Sequence, residues 1–224
     1  MLLEAVNISK KYDNEVVLKE VSLGIEQGSS LVITGPSGSG KSTLLSILGL
    51  LLQPTEGEVL YNGRKVSDLS DDERSRLRNR SFGFIFQSPQ LIGSLSVLDN
   101  VLVPARLARK RSLEAKAETI LKDLGLKNRL DYLPYQLSIG QKRRVAVARA
   151  LLLDPIVIFA DEPTNDLDPE RAAWIGEFLF ELPRKERALV LVTHDTRLAS
   201  KADRAVQIID NRVRDLPIGE LKTG

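Results

Sequence analysis

Unbroken apolar runs recur along the chain and alternate with segments of helical periodicity. Two of these runs, 82–86 and 156–160, contain no polar residue, and such runs are typical of strands buried on both faces of a parallel sheet. Six runs are predicted to be strands, at 21–25 (VSLGI), 30–34 (SLVIT), 82–86 (FGFIF), 156–160 (IVIFA), 188–193 (ALVLVT) and 205–210 (AVQIID).

The segments between these runs predict helices at 41–52, 71–79 and 169–182. Ser70 and Glu73 have the spacing of a capping box at the start of the second helix. Asp168 followed by Pro169 marks the start of the third, since Asp is favoured at the N-cap and Pro in the first turn. Alternating strands and helices predict an α/β fold with helices on the faces of a mainly parallel sheet.

The segment 88–154 breaks this alternation because it offers helical patterns and no convincing strand. One of them, SLEAKAETILKDLGL at 112–126, is closed by Gly125. We therefore predict a single domain, 1–224, with a core at about 1–87 and 155–224 and a helical subdomain inserted at about 88–154.

Charge and composition exclude several classes of function. The 32 basic and 30 acidic residues give a net charge of +2, so nucleic-acid binding is not expected. The absence of cysteine excludes disulfides, thiolate metal sites and cysteine nucleophiles. The start, MLLEAVNISKKYD, does not have the pattern of a signal peptide. The most apolar window, 44–52, is far shorter than the roughly 20 residues needed to span a bilayer, so any membrane span is expected from another chain.

The segment GPSGSGKST at 35–43 follows a predicted strand and opens a predicted helix. It has the P-loop pattern in the structural context that the pattern requires, which argues against a merely flexible glycine turn. Gly35, Gly38 and Gly40 would let backbone N–H groups face phosphate oxygens at the helix start. Lys41 would reach the β and γ phosphates, and the Ser42 hydroxyl would bind Mg²⁺.

Other candidate residues follow predicted strands, where ligands of α/β sheets bind. Asp161 and Glu162 end the run IVIFADE and would hold Mg²⁺ and polarise the attacking water, although two acids at a strand end are also compatible with a solvated turn. Gln87 and His194 follow two other strands, and position alone leaves a structural role open for both. For Asp168, helix capping is by itself a sufficient explanation.

A second helix start, in YQLSIGQKRR at 135–144, has an unexpected charge distribution. Lys142, Arg143 and Arg144 lie in the first turn, where the helix dipole disfavours cations by roughly 0.3–1 kcal/mol each. This placement raises the question of which anion belongs there. The three cations either add to a local positive field or form a solvated basic face, and the second interpretation is at least as good for each.

The order GPSGSGKST, Gln87, LSIGQ, IVIFADE, NDLD and VTHD resembles the nucleotide-binding subunit of an ABC transporter over essentially the whole chain. The resemblance implies a P-loop NTPase (RecA-like) core with a mainly parallel sheet, an N-terminal antiparallel β region and an inserted α-helical subdomain. It implies ATP and Mg²⁺ as ligands, and a homodimer that forms on ATP binding.

The resemblance also implies roles for individual residues. Tyr12 would stack on adenine, Gln87 would contact Mg²⁺ and couple to the membrane partner, Asp168 would cross the dimer interface, and His194 would contact the γ phosphate. Asp161 would bind Mg²⁺ and Glu162 would be the catalytic base. The nucleotide would be bound by the phosphate loop, comprising Gly35, Pro36, Ser37, Gly38, Ser39, Gly40, Lys41, Ser42 and Thr43.

Ser138, Gly140 and Gln141 match the signature motif of the family, which caps the ATP bound to the opposite subunit. The anion at this helix start would then be a γ phosphate supplied in trans. This chain has Ile139 where the family usually has Gly, so the backbone there must adopt an ordinary conformation, since Ile is unfavourable at positive φ. We expect this departure to affect the rate more than the role.

The segments GFIFQSPQLIGSLSVLDNV, DEPTNDLD and LVTHD are similar to the branch that serves lipoprotein release, macrolide export and the cell-division ABC complex. They imply integral membrane permease subunits as partners, at the cytoplasmic face of the cell membrane. Two interpretations stay open: an ATPase for export or for lipoprotein and lipid extraction, and an ATPase of a signalling complex that transports nothing. A DNA-repair or ribosome-type protein is disfavoured, because the chain has no long coiled-coil insertion and no second cassette.

Overall fold

The computed structural model describes residues 1–13, 15–165, 167–183 and 186–218. Short 3₁₀ turns lie at Lys127–Arg129 and Pro134–Gln136. The strands in these ranges are β1 (Leu3–Tyr12), β2 (Glu15–Ile25), β3 (Ser30–Thr34), β4 (Glu56–Tyr61), β5 (Arg64–Lys65), β6 (Phe82–Ile85), β7 (Val157–Asp161), β8 (Ala188–Val192), β9 (Arg204–Ile209) and β10 (Arg212–Leu216). The helices are α1 (Lys41–Leu48), α2 (Asp71–Ser81), α3 (Val97–Leu107), α4 (Glu114–Asp123), α5 (Ile139–Leu151), α6 (Pro169–Phe180) and α7 (Thr196–Ala199).

A six-stranded sheet with the order β10-β9-β3-β8-β7-β6 forms the centre of the fold. Its strands are parallel except β10, which pairs antiparallel with β9. Both faces are covered: Val32 and Leu191 pack into one apolar cluster, while Ile33 and Val190 pack into the other. This double burial explains the unbroken apolar runs and confirms the predicted α/β fold with a mainly parallel sheet.

A second, four-stranded sheet with the order β2-β1-β4-β5 is antiparallel throughout and confirms the antiparallel β region near the N-terminus. Apolar runs did not predict β1, β4 or the first half of β2, because these strands expose alternate residues. In β1, for example, Leu3 and Ala5 are buried while Glu4 and Val6 are partly exposed. Register shifts within β1 interrupt even this alternation.

The predicted helices are present, with small differences at their ends. The capping box of Ser70 and Glu73 starts α2, and the Asp168 side chain caps α6, as predicted. Helix α1 ends at Leu48, earlier than the predicted residue 52. Gly49 follows it and packs against Phe84, whose ring would lie 2.6 Å from a Cβ at that position.

Helices α3, α4 and α5 lie between β6 and β7, and the described part of this segment contains no strand. Val101, Leu121 and Val145 from the three helices belong to the apolar cluster that also covers one face of the parallel sheet. The helical segment therefore shares a core with the sheet. The boundaries of a separate subdomain at about 88–154 remain a prediction.

Candidate functional site

The loop between β3 and α1 has the backbone conformation of a phosphate-binding loop. Gly35, Gly38 and Gly40 have φ values of 142°, 78° and 98°, which L-residues with side chains rarely adopt. Gly40 is the N-cap of α1 and supplies no side-chain hydrogen bond, and the first turn carries no acidic residue. The first N–H groups of α1 therefore lack a side-chain acceptor, as an anion-binding helix start requires.

The side chains of this loop are also arranged for an anion. Lys41 Nζ donates hydrogen bonds to the carbonyl oxygens of Gly35 (2.9 Å) and Pro36 (2.8 Å), so its charge is held over the loop. Ser39 Oγ is buried without a hydrogen-bond partner among the described residues. Of the remaining loop residues, Pro36, Ser37, Gly38 and Ser42 are exposed, and Thr43 is partly buried.

Asp161, at the end of β7, interacts with the Ser42 hydroxyl at the start of α1. Burial raises the pKa of Asp161 above its ordinary value, and the charge of Glu162 adds to this shift. The Ser42 hydroxyl and the charge of Lys41 oppose it. Oδ1 of Asp161 is buried and has no hydrogen-bond partner in the described ranges. An unpaired carboxylate oxygen beside a hydroxyl fits Mg²⁺, which prefers oxygen ligands.

The protein supplies few ligands for this ion. The described residues contain no group of three His, Asp or Glu side chains that could hold a metal. This agrees with the usual coordination of Mg²⁺ in nucleotide sites, where one or two protein groups act together with phosphate oxygens and water.

Glu162 is held against His194 immediately after Asp161. His194 Nδ1 forms a 3.1 Å hydrogen bond to Glu162 Oε1. The Nδ1 atom is also 3.1 Å from Oε2, but that contact does not have the geometry of a hydrogen bond. The Glu162 side chain is 13% exposed and that of His194 is 69% exposed, so the pair lies at the surface of the cleft. Oε2 is buried and has no hydrogen-bond partner among the described residues.

The backbone of Glu162 is in the left-handed region, with φ of 44°. Such a conformation costs a non-glycine residue about 1–3 kcal/mol and persists only where the surroundings enforce it. The Glu162 N–H donates to the Val192 carbonyl of β8 (2.9 Å), which fixes one side of the turn. The structure thus stores local strain at the residue predicted to be the base.

Sheet register brings the predicted residues to one edge. Ile33 and Asp161 both pair with Val192, and Ile85 pairs with Ala160. The carboxyl ends of β3, β8, β7 and β6 therefore lie side by side. They deliver, in that order, the phosphate loop, His194, the Asp161–Glu162 pair and the exposed Gln87.

Tyr12 ends β1 on the hairpin that packs against the phosphate loop. The contact is made by Val17 and Leu18 of β2, whose side chains would lie 2.9 and 3.1 Å from a Cβ on Gly40. The Tyr12 ring is 46% exposed, and Lys10 Nζ lies 5.1 Å from its centroid. An exposed aromatic ring on a hairpin that packs against the phosphate loop suits a base-stacking role.

Ser138, Gly140 and Gln141 lie at the start of α5, in the helical segment. Ser138 and Gln141 form a capping box, with Gln141 N donating to Ser138 Oγ (3.3 Å) and Ser138 N donating to Gln141 Oε1 (2.9 Å). Ile139 is 57% exposed and has no positive φ, as predicted. Their hydrogen bonds stay within this cap and do not reach the phosphate loop of the same chain.

The interpretation of the three cations as a solvated face is wrong for Arg143. This side chain is 4% exposed, and its Nη1 donates to the carbonyl oxygens of Glu162 and Pro163, both at 3.1 Å. Its neighbour Arg144 is partly buried and donates to the Leu124 carbonyl (3.1 Å). Helical spacing could have revealed Arg143, because it lies three and four residues before the buried Ala146 and Val147.

Replacing Asp161 by Asn is expected to stabilise the ligand-free chain and to weaken its response to MgATP. Because the pKa of Asp161 is raised in the folded state, its ionised form destabilises the fold at pH values above its ordinary pKa, and this penalty is absent at lower pH. Thermal melts at pH 7 should show a melting temperature a few degrees higher without nucleotide and a smaller shift on adding MgATP. The exposed Asp131→Asn should change neither.

The model of the ABC transporter family matches residues 18–165. This chain belongs to that family. It is 42% identical over 222 residues to the lipoprotein-releasing system ATP-binding protein LolD of Aquifex aeolicus, covering 98% of this chain and 97% of that protein. It is 48% identical over 199 residues to the macrolide export ATP-binding/permease protein MacB 1 of Aeromonas hydrophila, covering 88% of this chain but only 31% of that protein. These relatives confirm the predicted branch.

Two solved structures of the ATP-binding cassette MJ0796 are similar over 96% of this chain and 98% of theirs. The dimeric cassette matches with a TM-score of 0.90 and 38% identity. The dimeric post-hydrolysis state bound to ADP and Pi matches with a TM-score of 0.87 and 36% identity. The chain has the P-loop NTPase fold and is the ATP-binding and ATP-hydrolysing subunit of an ABC transporter, so the signalling alternative is not favoured.

Proposed function

We propose that two copies of this chain hydrolyse two MgATP molecules between them and thereby drive an integral membrane permease in export or in lipoprotein or lipid extraction. The observation that supports this most directly is the row of adjacent strand ends. It combines a phosphate loop, a carboxylate with an unpaired oxygen beside a hydroxyl, and a hydrogen-bonded Glu–His pair.

Binding of the nucleotide is assigned to residues at these strand ends and to Tyr12 on the neighbouring hairpin. The phosphate loop, Gly35 to Thr43, surrounds the phosphates with N–H groups, and Lys41 exchanges its two carbonyl partners for β and γ oxygens. Tyr12 stacks on adenine from the neighbouring hairpin. Ser42 and Asp161, with Gln87, hold Mg²⁺, which neutralises phosphate charge when bound.

Glu162 is assigned as the base that polarises the attacking water. Its Oε1 is hydrogen-bonded to His194, which fixes the orientation of the carboxylate. His194, whose side chain is 69% exposed, is assigned to contact the γ phosphate. General-base catalysis of this kind contributes about 10²- to 10⁴-fold to a rate.

The second copy completes the site. Ser138, Gly140 and Gln141 of one chain cap the γ phosphate held by the other, which supplies the anion missing from the basic start of α5. The first turn of α5 has no acidic residue, and a Cβ on Gly140 would approach Arg171 to 3.2 Å, so no side chain is tolerated there without a shift. Asp168, which caps α6 and pairs with Arg171, lies in the segment assigned to the dimer interface.

The permease is expected to hold the chain at the cytoplasmic face of the cell membrane. None of the helices in the described ranges is long and apolar enough to cross a bilayer. The names of the relatives, a lipoprotein-releasing system and a macrolide exporter, support an export or extraction system as the partner. Nucleic acid is not part of the proposal.

Co-expression with a membrane permease subunit from the same organism, such as one encoded beside this chain, tests this partnership. We expect a complex that survives mild detergent, and ATPase activity that rises when a lipoprotein is supplied to the complex in proteoliposomes. A macrolide in place of the lipoprotein distinguishes the two branches of the family. Failure to form any complex with that membrane protein would contradict the assignment of the permease.

A further inference from the structure

The buried side chain of Arg143 connects α5 to the turn that carries Glu162. Its Nη1 donates to two successive carbonyl oxygens, those of Glu162 and Pro163, each at 3.1 Å. Arg143 is 4% exposed, so this contact lies in the interior. A buried donor that serves two carbonyls of one turn restrains the turn more tightly than a single solvated hydrogen bond would.

The turn that Arg143 restrains also has a strained backbone at Glu162. Glu162 has a φ of 44°, and its N–H is fixed by the Val192 carbonyl of β8 (2.9 Å). Its own carbonyl accepts from Arg143 and, less closely, from the Asn165 N–H (3.2 Å). The peptide groups on either side of the Glu162 Cα are thus held by different elements, the sheet on one side and α5 on the other. Such anchoring sets the direction of the Glu162 side chain.

A second contact joins the same two parts of the chain. Gly140, three residues before Arg143 and therefore on the same side of α5, is buried against the side chains of Arg171 and Leu167, which would lie 3.2 and 3.8 Å from a Cβ on this glycine. The start of α5 therefore contacts the chain both at the Glu162 turn and at the beginning of α6. A displacement of this helix start must move that segment as well.

We propose that Arg143 is a positioning residue that sets the orientation of Glu162 according to the position of α5. The proposal rests on the proposed function, in which Ser138, Gly140 and Gln141 of the same helix cap the ATP of the partner. Nucleotide seated against α5 of one copy then determines how well Glu162 of that same copy is aligned on its own ATP. Arg143 thereby links the two ATP sites of the dimer without touching nucleotide.

Steady-state ATPase measurements on three variants of the full chain test this link. Arg143→Met removes the donor and keeps a buried stem, whereas Arg143→Lys keeps a charged donor. Arg144→Met is the matched control, since Arg144 is the next residue, is also partly buried and donates to the Leu124 carbonyl of the helical segment. For Arg143→Met we expect kcat to fall about tenfold or more, because a misaligned Glu162 loses part of the roughly 10²- to 10⁴-fold that general-base catalysis contributes.

The other readouts separate positioning from stability. For Arg143→Met we expect the KM for ATP to stay within about twofold and the Hill coefficient for ATP to fall toward 1, since the two sites no longer communicate through α5. Arg143→Lys should recover part of both kcat and the Hill coefficient. A kcat and a Hill coefficient like those of Arg144→Met, when both are expressed per folded molecule, would overturn the proposal. Should Arg143→Met not fold, Arg143→Gln takes its place, since the shorter amide side chain does not reach both carbonyls: a wild-type kcat and Hill coefficient overturn the proposal, and a reduction in both supports it.

Glu162→Gln, assayed in parallel, distinguishes a failure of this proposal from a failure of the proposed function. Normal turnover of Glu162→Gln would show that Glu162 is not the base, and the proposed function would fail. An inactive Glu162→Gln together with an Arg143→Met that matches its control would leave the function intact and overturn only the role of Arg143.

Discussion

Glu162→Gln is expected to lower ATP turnover by about 100- to 10,000-fold while leaving ATP binding intact, because the amide keeps the shape of the side chain but cannot accept the proton of the attacking water. The carboxylate of Glu162, which is hydrogen-bonded to His194, is the group whose basicity is lost. Single-turnover hydrolysis and nucleotide titration measure the two steps separately. Binding should stay within a few-fold of wild type.

Two comparison variants make the result specific. Glu118→Gln changes an exposed residue of α4 and should leave turnover unchanged. Lys41→Ala removes the ammonium held over the phosphate loop and should impair both binding and hydrolysis. Turnover of Glu162→Gln close to that of Glu118→Gln would exclude Glu162 as the base.

Most of this cleft was predictable, because the residues that follow parallel strands lie together at one edge of the sheet. Each of Gln87, Asp161 and His194 follows an apolar run, and the carboxyl ends of parallel strands share one edge of a sheet. The fully buried runs of β3, β7 and β8 were easy to identify, since both of their faces are covered. Strand ends and loop pattern thus predicted the phosphate loop and the residues beside it.

The hydrogen bonds that position the side chains of the cleft were not predictable from the local sequence pattern. The Glu162–His194 hydrogen bond joins residues 32 positions apart, and it depends on the side-chain direction at a strained backbone position. The contacts of Arg143 with two carbonyls join positions 19 and 20 residues apart. The helix-dipole argument treated Arg143 as a charge near a helix start, whereas its burial follows from how α5 packs against the turn after β7.

Ser138→Arg is expected to abolish ATPase activity and ATP-dependent dimerisation while leaving the ATP affinity of each monomer nearly unchanged. In the proposed dimer, Ser138 faces the ATP of the other copy, so a long side chain there blocks closure without entering its own nucleotide site. The readout is light scattering of the Glu162→Gln variant with saturating MgATP. Glu162→Gln alone should form a dimer that its slow hydrolysis preserves, and adding Ser138→Arg should leave a species of monomer mass.

Loss of the helix cap must be separated from loss of the interface, because replacing an N-cap serine costs about 0.5–2 kcal/mol of stability. Ser70→Arg is a matched control, since Ser70 also is exposed and forms a capping box, with Glu73 at the start of α2. In the Glu162→Gln background it should lower stability by a similar amount and leave the MgATP dimer intact. If both serine variants dissolved the dimer equally, the cap and not the trans contact would be responsible. A dimer that persists with Ser138→Arg would show that the start of α5 does not complete the site of the other copy.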